Sequence, residues 1–239
     1  IRAICDKYNV ILIEDNAQGI QAFYNNQLLG SFGDFSCISF DILKNISCNE
    51  GGVLLCKNKW LNRVDVAYNN GTNKTAFSKK LINKYEWINK GSKFGMSEYT
   101  AAVLYPLLEK SAKIISERKK IWTSLYNKII KEEVLKDFVP QKLLDIEHNG
   151  HLAYLKFKDI EQRNKIIDFL RNEGIPSSFH YIPLDDSVEG RRNSQTNNIC
   201  ENSLRESNCL LRLPMHNYLT EDDQIKIVHE LKLAVINSK

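Results

Sequence analysis

Three short apolar runs limit the fold more than anything else in the chain. They are Val10-Ile-Leu-Ile-Glu14, Phe35-Ser-Cys-Ile-Ser-Phe40 and the stretch from Gly51 to Cys56. Each is too short for a helix, and Gly, Asn and Asp lie at their ends, so they read as strands. Helical spacing lies on either side, over residues 1–8 before the first run and 57–68 after the third. Helices alternating with short, nearly continuous apolar strands define an α/β layered fold, its strands expected to be buried on both faces.

What these strands deliver is chemically specific. The first ends in Asp15, and the second leads through a short turn to Lys44, which precedes Glu50-Gly51-Gly52. A lysine and an aspartate brought to the carboxyl ends of two strands meet the needs of pyridoxal phosphate (PLP). The lysine binds the cofactor aldehyde, and the aspartate keeps a proton on the pyridine nitrogen. Taken singly, Lys44 reads equally as a solvated surface residue and Asp15 as a turn residue. Their neighbours favour the cofactor: Gln18 is placed to reach a ring oxygen, and Ser39 to donate to a phosphate. A nucleotide-binding α/β domain with Lys44 as phosphate ligand is the weaker alternative, because neither G-x-G-x-x-G nor G-x-x-x-x-G-K-[ST] occurs.

Composition excludes several other classes. With 33 basic and 29 acidic residues the net charge is only +4, and no basic stripe suggests nucleic acid. An anionic small substrate fits better. No apolar run is long enough to span a membrane. The six cysteines form no C-x-x-C pair and read as reduced thiols of a cytoplasmic protein. The five histidines are dispersed, without metal-ligand spacing.

Beyond residue 68 the organisation changes. Residues 72–93 read as a long, polar, irregular loop with Tyr85 and Trp87 as anchors, long enough to be functional or part of an interface. Helical spacing runs over 97–131, with Pro106 expected to kink it or divide it in two. A charged run follows Pro140. Strands are expected at 151–157, 177–180 and 210–214. Helices are expected over 160–172, closed by Glu173-Gly174, over about 202–209, and from a capping box at Thr220-Glu-Asp-Asp223. Residues 186–199 read as polar and flexible. Two domains are expected, 1–109 and a small α/β domain over 110–239.

With these residues located, the chain resembles the DegT/DnrJ/EryC1/StrS family of sugar aminotransferases. The motifs that carry the likeness are Glu14-Asp15-Asn-Ala-Gln18-Gly, Ser39-Phe40 followed by Lys44-Asn-Ile-Ser-Cys, and Glu50-Gly51-Gly52. Lys84-Tyr85-Glu-Trp87, Glu147-His148-Asn149 with His151, Phe179-His180-Tyr-Ile-Pro-Leu184 and Leu211-Arg-Leu-Pro214 resemble one branch, the dTDP-4-amino-4,6-dideoxygalactose transaminases. The resemblance implies PLP-dependent transferase fold type I, the aspartate-aminotransferase fold. This chain would form the C-terminal part of the large domain plus the small C-terminal domain. It implies Lys44 as the cofactor-bearing lysine, with Asp15 at the pyridine nitrogen, Gln18 on the ring-hydroxyl side and Ser39 at the phosphate.

The implied reaction is transfer of an amino group from glutamate, which leaves as 2-oxoglutarate, to a dTDP-4-keto-6-deoxyhexose. It would serve surface polysaccharide or enterobacterial common antigen synthesis. A homodimer with a shared active site is also implied. Lys93 stands where many relatives carry an Asn that reaches the partner's cofactor phosphate. Pro183-Leu184-Asp185 departs from the family's Pro-Leu-His. Ile1 opens mid-helix without a cap residue, so an upstream segment is expected, and without it the first three strands are expected to expose edges and apolar faces. A fold-type-I module without turnover is the alternative function.

Overall fold

A three-residue strand next to a five-residue strand sets the architecture of the first part of the chain. The structure is a computed structural model that describes residues 1–140, 147–194 and 200–238. The charged run after Pro140 and the end of the polar stretch 186–199 lie outside the described residues. The chain divides into two compact units, Ile1–Ile114 and Ile115–Lys239.

In the first unit, helix α1 (Arg2–Lys7) precedes β1 (Ile13–Asp15), the hairpin β2 (Phe23–Tyr24) and β3 (Gln27–Leu28), then β4 (Phe35–Ser39) and β5 (Gly52–Cys56). The sheet order is β1-β4-β5, with β1 parallel and β5 antiparallel to β4. The expected strand over 10–14 therefore begins three residues late. Leu12 explains the delay: its carbonyl accepts from both Asp34 and Phe35 N–H, at 2.7 and 3.2 Å. Its own N–H goes to the Asp34 carboxylate (3.2 Å), so no regular ladder forms there.

The expectation of strands buried on both faces also fails. Ile13 is 63% exposed and Leu54 45% exposed. On the other face Val53 and Leu55 of β5 are also exposed, while β4 packs. Ile38 joins Phe40, Ile46, Cys48 and Leu104 in a small core with Ile20, Met96, Leu107 and Ile114.

The hairpin was not expected. Asn25 and Asn26 both take left-handed backbone angles (φ 49° and 59°), as a two-residue primed turn requires, and Asn tolerates that region best after Gly. After β5, a short 3₁₀ turn leads into α2 (Leu61–Tyr68). The loop 72–93 contains one unexpected short helix, α3 (Lys74–Ser78), and is otherwise tied by backbone bonds around Gly71. Gly71 (φ +76°) accepts at its carbonyl from the Ile88 and Asn89 N–H groups, at 2.8 and 3.0 Å. The helical stretch after Ser97 divides as expected. Helix α4 (Glu98–Glu109) contains Pro106, and α5 (Ser111–Ile129) begins after a break at Lys110.

The second unit buries far more. Strands β6 (Ala153–Lys156) and β7 (Leu210–Leu213) pair antiparallel, lying in the chain on either side of α6 (Ile160–Asn172), α7 (Val188–Asn193) and α8 (Glu201–Cys209). Helix α9 (Glu221–Asn237) closes the chain behind the expected capping box at Thr220 and Asp223. Leu125, Tyr126, Ile129, Leu155, Leu170, Leu211 and Leu231 are wholly buried in one core. Helix α6 ends as expected at a left-handed Gly174 (φ +75°), with Ile175 N–H returning to Leu170 O at 2.8 Å.

Two expectations change in this unit. Ser177–His180 forms only a single bridge, between Ser178 and Arg212, and α7 occupies part of the stretch expected to be irregular. Among the described residues, buried Arg118 has no carboxylate partner. It donates instead to Gly150 O (2.7 Å), Met215 O (2.7 Å), His151 O (3.1 Å) and the Asn217 side chain (3.2 Å).

Candidate cofactor site

Pairing registers place the expected site residues at one end of the small sheet. Asp15 is paired with Cys37, and residues in register on neighbouring strands point to the same face. Ser39, two residues beyond Cys37, shares that face by the period of two. With strands about 4.8 Å apart and a rise of about 3.3 Å per residue, the Asp15 and Ser39 Cα atoms lie about 8 Å apart. Cys37 lies between them and is exposed. It is a site-face residue that sequence reasoning counted only as a reduced thiol. The signal available was its position two residues before Ser39.

Lys44 is carried by the turn that follows β4. That turn is closed at its base: Cys48 N–H donates to Phe40 O (3.0 Å), and Phe40 N–H to Gly51 O (2.8 Å). Ile46 plugs into the small core at 1% exposure, which fixes the turn against the sheet. Within it, Lys44 N–H donates to Asp41 O (2.9 Å). The half-buried ammonium itself has no hydrogen bond or ion pair among the described residues.

The available atoms match a PLP-like ligand. Asp15 Oδ1 accepts from Ala17 N–H (3.1 Å), leaving Oδ2 open on an exposed side chain. Ser39 Oγ accepts from Asp41 N–H (3.3 Å), so its own proton remains for an outside acceptor. An open carboxylate oxygen, an unpaired amine and a donor hydroxyl on one sheet end are the groups a protonated pyridine, an aldehyde and a phosphate require. Asp15 also lines an open, mostly apolar groove of about 720 Å³ with Leu12, Ile13, Tyr24, Leu29 and Phe32.

The remaining candidates fall differently. Gln18 is exposed in the turn after Asp15, three residues along the motif. Lys93 is exposed, and its backbone bridges Asn69 at the base of the 72–93 loop. No described bond joins Lys93 to Asp15, Ser39 or Lys44. Asp185, one of the departures from the family pattern, has a local structural use. Its Oδ2 accepts from Cys200 N–H (2.6 Å) at the start of α8, and that bond is the main cause of its lowered pKa.

The profile of the DegT/DnrJ/EryC1/StrS aminotransferase family matches residues 1–232. The chain belongs to this family. A curated relative, UDP-4-amino-4,6-dideoxy-N-acetyl-beta-L-altrosamine transaminase of Campylobacter jejuni, is 27% identical over 77% of the chain and 48% of its own length. PseC of Helicobacter pylori, an aminotransferase of pseudoaminic acid biosynthesis, superposes with TM-score 0.86 at 19% identity. The match covers 99% of this chain and 62% of PseC. Spr1654 of Streptococcus pneumoniae, named as a sugar aminotransferase in its PLP form, gives TM-score 0.82 at 20% identity, over 99% of this chain and 60% of its own.

These likenesses establish fold type I of the PLP-dependent transferases. The chain spans about half to two-thirds of the length of the curated relatives it matches. Aminotransferases of the DegT family use PLP. The six cysteines are free thiols, and no helix among the described residues is long and apolar enough to cross a membrane.

Proposed function

We propose that the protein moves an amino group from glutamate to a nucleotide-linked keto sugar, a dTDP-4-keto-6-deoxyhexose, with PLP bound at Lys44, Asp15, Gln18 and Ser39. One observation carries this reading: Asp15 Oδ2 and Ser39 Oγ stand open on one face at one end of the sheet, and the turn that leaves the same end of β4 carries Lys44. Bound PLP supplies a ring that accepts electrons from the carbon carrying the amino group. Lys44 would hold the cofactor aldehyde and would move the proton to and from that carbon. Asp15 would face the pyridine nitrogen and hold its proton. Ser39 donates to the phosphate, and Gln18 faces the ring hydroxyl. Donor and acceptor then use the same groups in turn, a ping-pong order.

The choice of a dTDP sugar rests on the motifs around Lys84-Tyr85-Glu-Trp87 and Phe179-His180, and that of a sugar nucleotide in general also on the name of the Campylobacter jejuni relative, whose sugar is UDP-linked. A cytoplasmic homodimer serving surface polysaccharide synthesis completes the reading. In it, exposed Lys93 reaches the cofactor phosphate of a second copy as a point charge in place of a neutral amide. Its exposure at the base of the 72–93 loop supports that direction.

The test is chemical trapping. Borohydride added to the purified full-length protein with PLP should abolish the visible band and leave the reduced cofactor on the peptide containing Lys44. Turnover with glutamate and the keto sugar should disappear in the same step. Cofactor trapped on another lysine would overturn the site. Trapping on Lys44 without turnover of any keto sugar would favour a fold-type-I module that does not catalyse.

A further inference from the structure

Asp15 is held by little of its own strand: β1 is three residues long, and its pairing with β4 stops at Asp15 itself. An exposed carboxylate at the free end of so short a strand would swing unless its neighbours were fixed.

Both neighbours are tied to one loop. Glu14, on the face opposite Asp15, spans a tight turn with its two carboxylate oxygens. Oε2 accepts from Gly30 N–H at 2.8 Å, and Oε1 from Gly33 N–H at 2.5 Å. Such charge-assisted bonds are about twice as strong as neutral ones. Asn16, only 4% exposed, donates its amide to Leu29 O (3.0 Å), and its backbone N–H goes to Cys37 O (2.9 Å). The loop Leu29–Gly33 is itself anchored by the β2–β3 hairpin, with Leu29 N–H on Ala22 O at 2.9 Å.

The loop has been cleared for this approach. Gly30 has φ +89°, and a Cβ there would lie 2.6 Å from the Asn16 amide and 2.8 Å from Ser36 Oγ. A Cβ on Gly33 would meet the Phe35 and Leu12 carbonyls at 2.7 and 2.8 Å. Two glycines and two polar side chains thus form a bracket on either side of one exposed carboxylate.

We propose that Glu14 and Asn16 are positioning residues for Asp15. The bracket holds the Asp15 carboxylate at a fixed height and angle to the strand ends, and so to the pyridine nitrogen. This rests on the reading that Asp15 faces that nitrogen. The cost of losing the bracket falls on the chemical step rather than on substrate capture. A displacement of about 1 Å in a reacting geometry costs up to about a hundredfold in rate.

The experiment compares full-length wild type with Glu14→Gln, Asn16→Ala and, as a control, Asp34→Asn. Glu14→Gln replaces one of the two acceptor oxygens by a donor that cannot pair with a backbone N–H. Asp34 is buried at the opposite end of β4, where it pairs with Arg2 and Lys59, both at 3.0 Å, and accepts from Leu12 N–H, with no described bond to Glu14, Asp15 or Asn16. Glu14→Gln should still trap PLP on Lys44. Its kcat should fall about ten- to a hundredfold, with KM for the sugar unchanged, and the pH at which the cofactor's visible band titrates should move. Asp34→Asn should lower the unfolding temperature without moving that pH.

If Glu14→Gln fails to fold, Asn16→Ala, which removes one hydrogen bond, carries the same test. Wild-type kcat and titration in the folded bracket variants, with PLP trapped on Lys44, would overturn the bracket while leaving the site intact. Failure of wild type to trap PLP on Lys44 would overturn the site and the bracket with it.

Discussion

In the second unit, Leu155 and Leu211 sit at the middle of the two-stranded sheet and are closed off from solvent completely. In the first unit, Ile13 and Leu54 occupy the same kind of position and are largely open. The second unit therefore stabilises itself by removing apolar side chains from water, which contributes roughly 1.5–3 kcal/mol per fully buried side chain. The first buries little, and its order near the candidate site comes from directional bonds instead. Glu14 spans two backbone N–H groups, Asn16 clasps Leu29, Asp34 gathers Arg2 and Lys59, and Cys48 closes the turn that carries Lys44. Polar bonds fix angles more narrowly than packing does, and chemistry at a sheet end needs angles.

If chemistry belongs to the first unit and stability to the second, substitutions should separate the two. Lys44→Ala should abolish amino transfer and the visible band of bound cofactor together, while the unfolding transition stays within about 0.5 kcal/mol of wild type, as for a surface change. Retained turnover would remove Lys44 from the site. Asp15→Asn should leave cofactor binding measurable but slow turnover by orders of magnitude, because a neutral amide cannot hold the ring proton. An unchanged rate would make Asp15 a structural turn residue, held by Ala17 N–H alone.

The same division decided what could be read from the sequence. Asp15, Ser39 and Lys44 were legible because each follows or ends an apolar run, so their spacing alone brings them to one end of a sheet. Helices α6 and α9 were legible because their caps are local: Gly174 for one, Thr220 and Asp223 for the other. The β2–β3 hairpin was not, because two asparagines signal a turn far less strongly than Asn-Gly. The roles of Glu14 and Asn16 depend on a loop more than ten residues away folding back onto them, and no local pattern records that.

Core truncation should sharpen the contrast. Leu155→Ala removes a wholly buried side chain and should cost about 2–5 kcal/mol in denaturant unfolding. Leu54→Ala, on the open face, should cost less than about 0.5 kcal/mol. Equal losses would break the comparison, and would mean that the face carrying Leu54 is covered in the protein under test. Lys93→Ala should weaken PLP affinity severalfold, an effect of about 1 kcal/mol for a charge-assisted contact, without moving the unfolding transition. Equal PLP affinity in mutant and wild type would make Lys93 a solvated loop residue.

The smallest effect is a pH dependence confined to the second unit. His148 stacks on Trp122 with ring centroids 4.0 Å apart, and its Nδ1 accepts from Gly150 N–H at 2.9 Å. That bond requires Nδ1 to be unprotonated. Burial, with a smaller contribution from nearby Lys119, pushes the His148 pKa below its ordinary value. The folded chain then takes up this proton at lower pH than the unfolded chain does. Between the two values the unfolded state holds more protons, so stability rises with pH there. The stabilising preference for neutral His148 is fully present above about pH 6.5, the usual histidine value, and is lost as pH falls toward the depressed one. Denaturant unfolding of wild type between pH 7.5 and 5.5 should show that decline. His148→Asn, which keeps an acceptor but does not titrate, should flatten it while leaving the cofactor's visible band unchanged. An identical slope in wild type and mutant would mean that the imidazole gains its proton without leaving the Trp122 stack, and that the second unit's stability is set by its core alone.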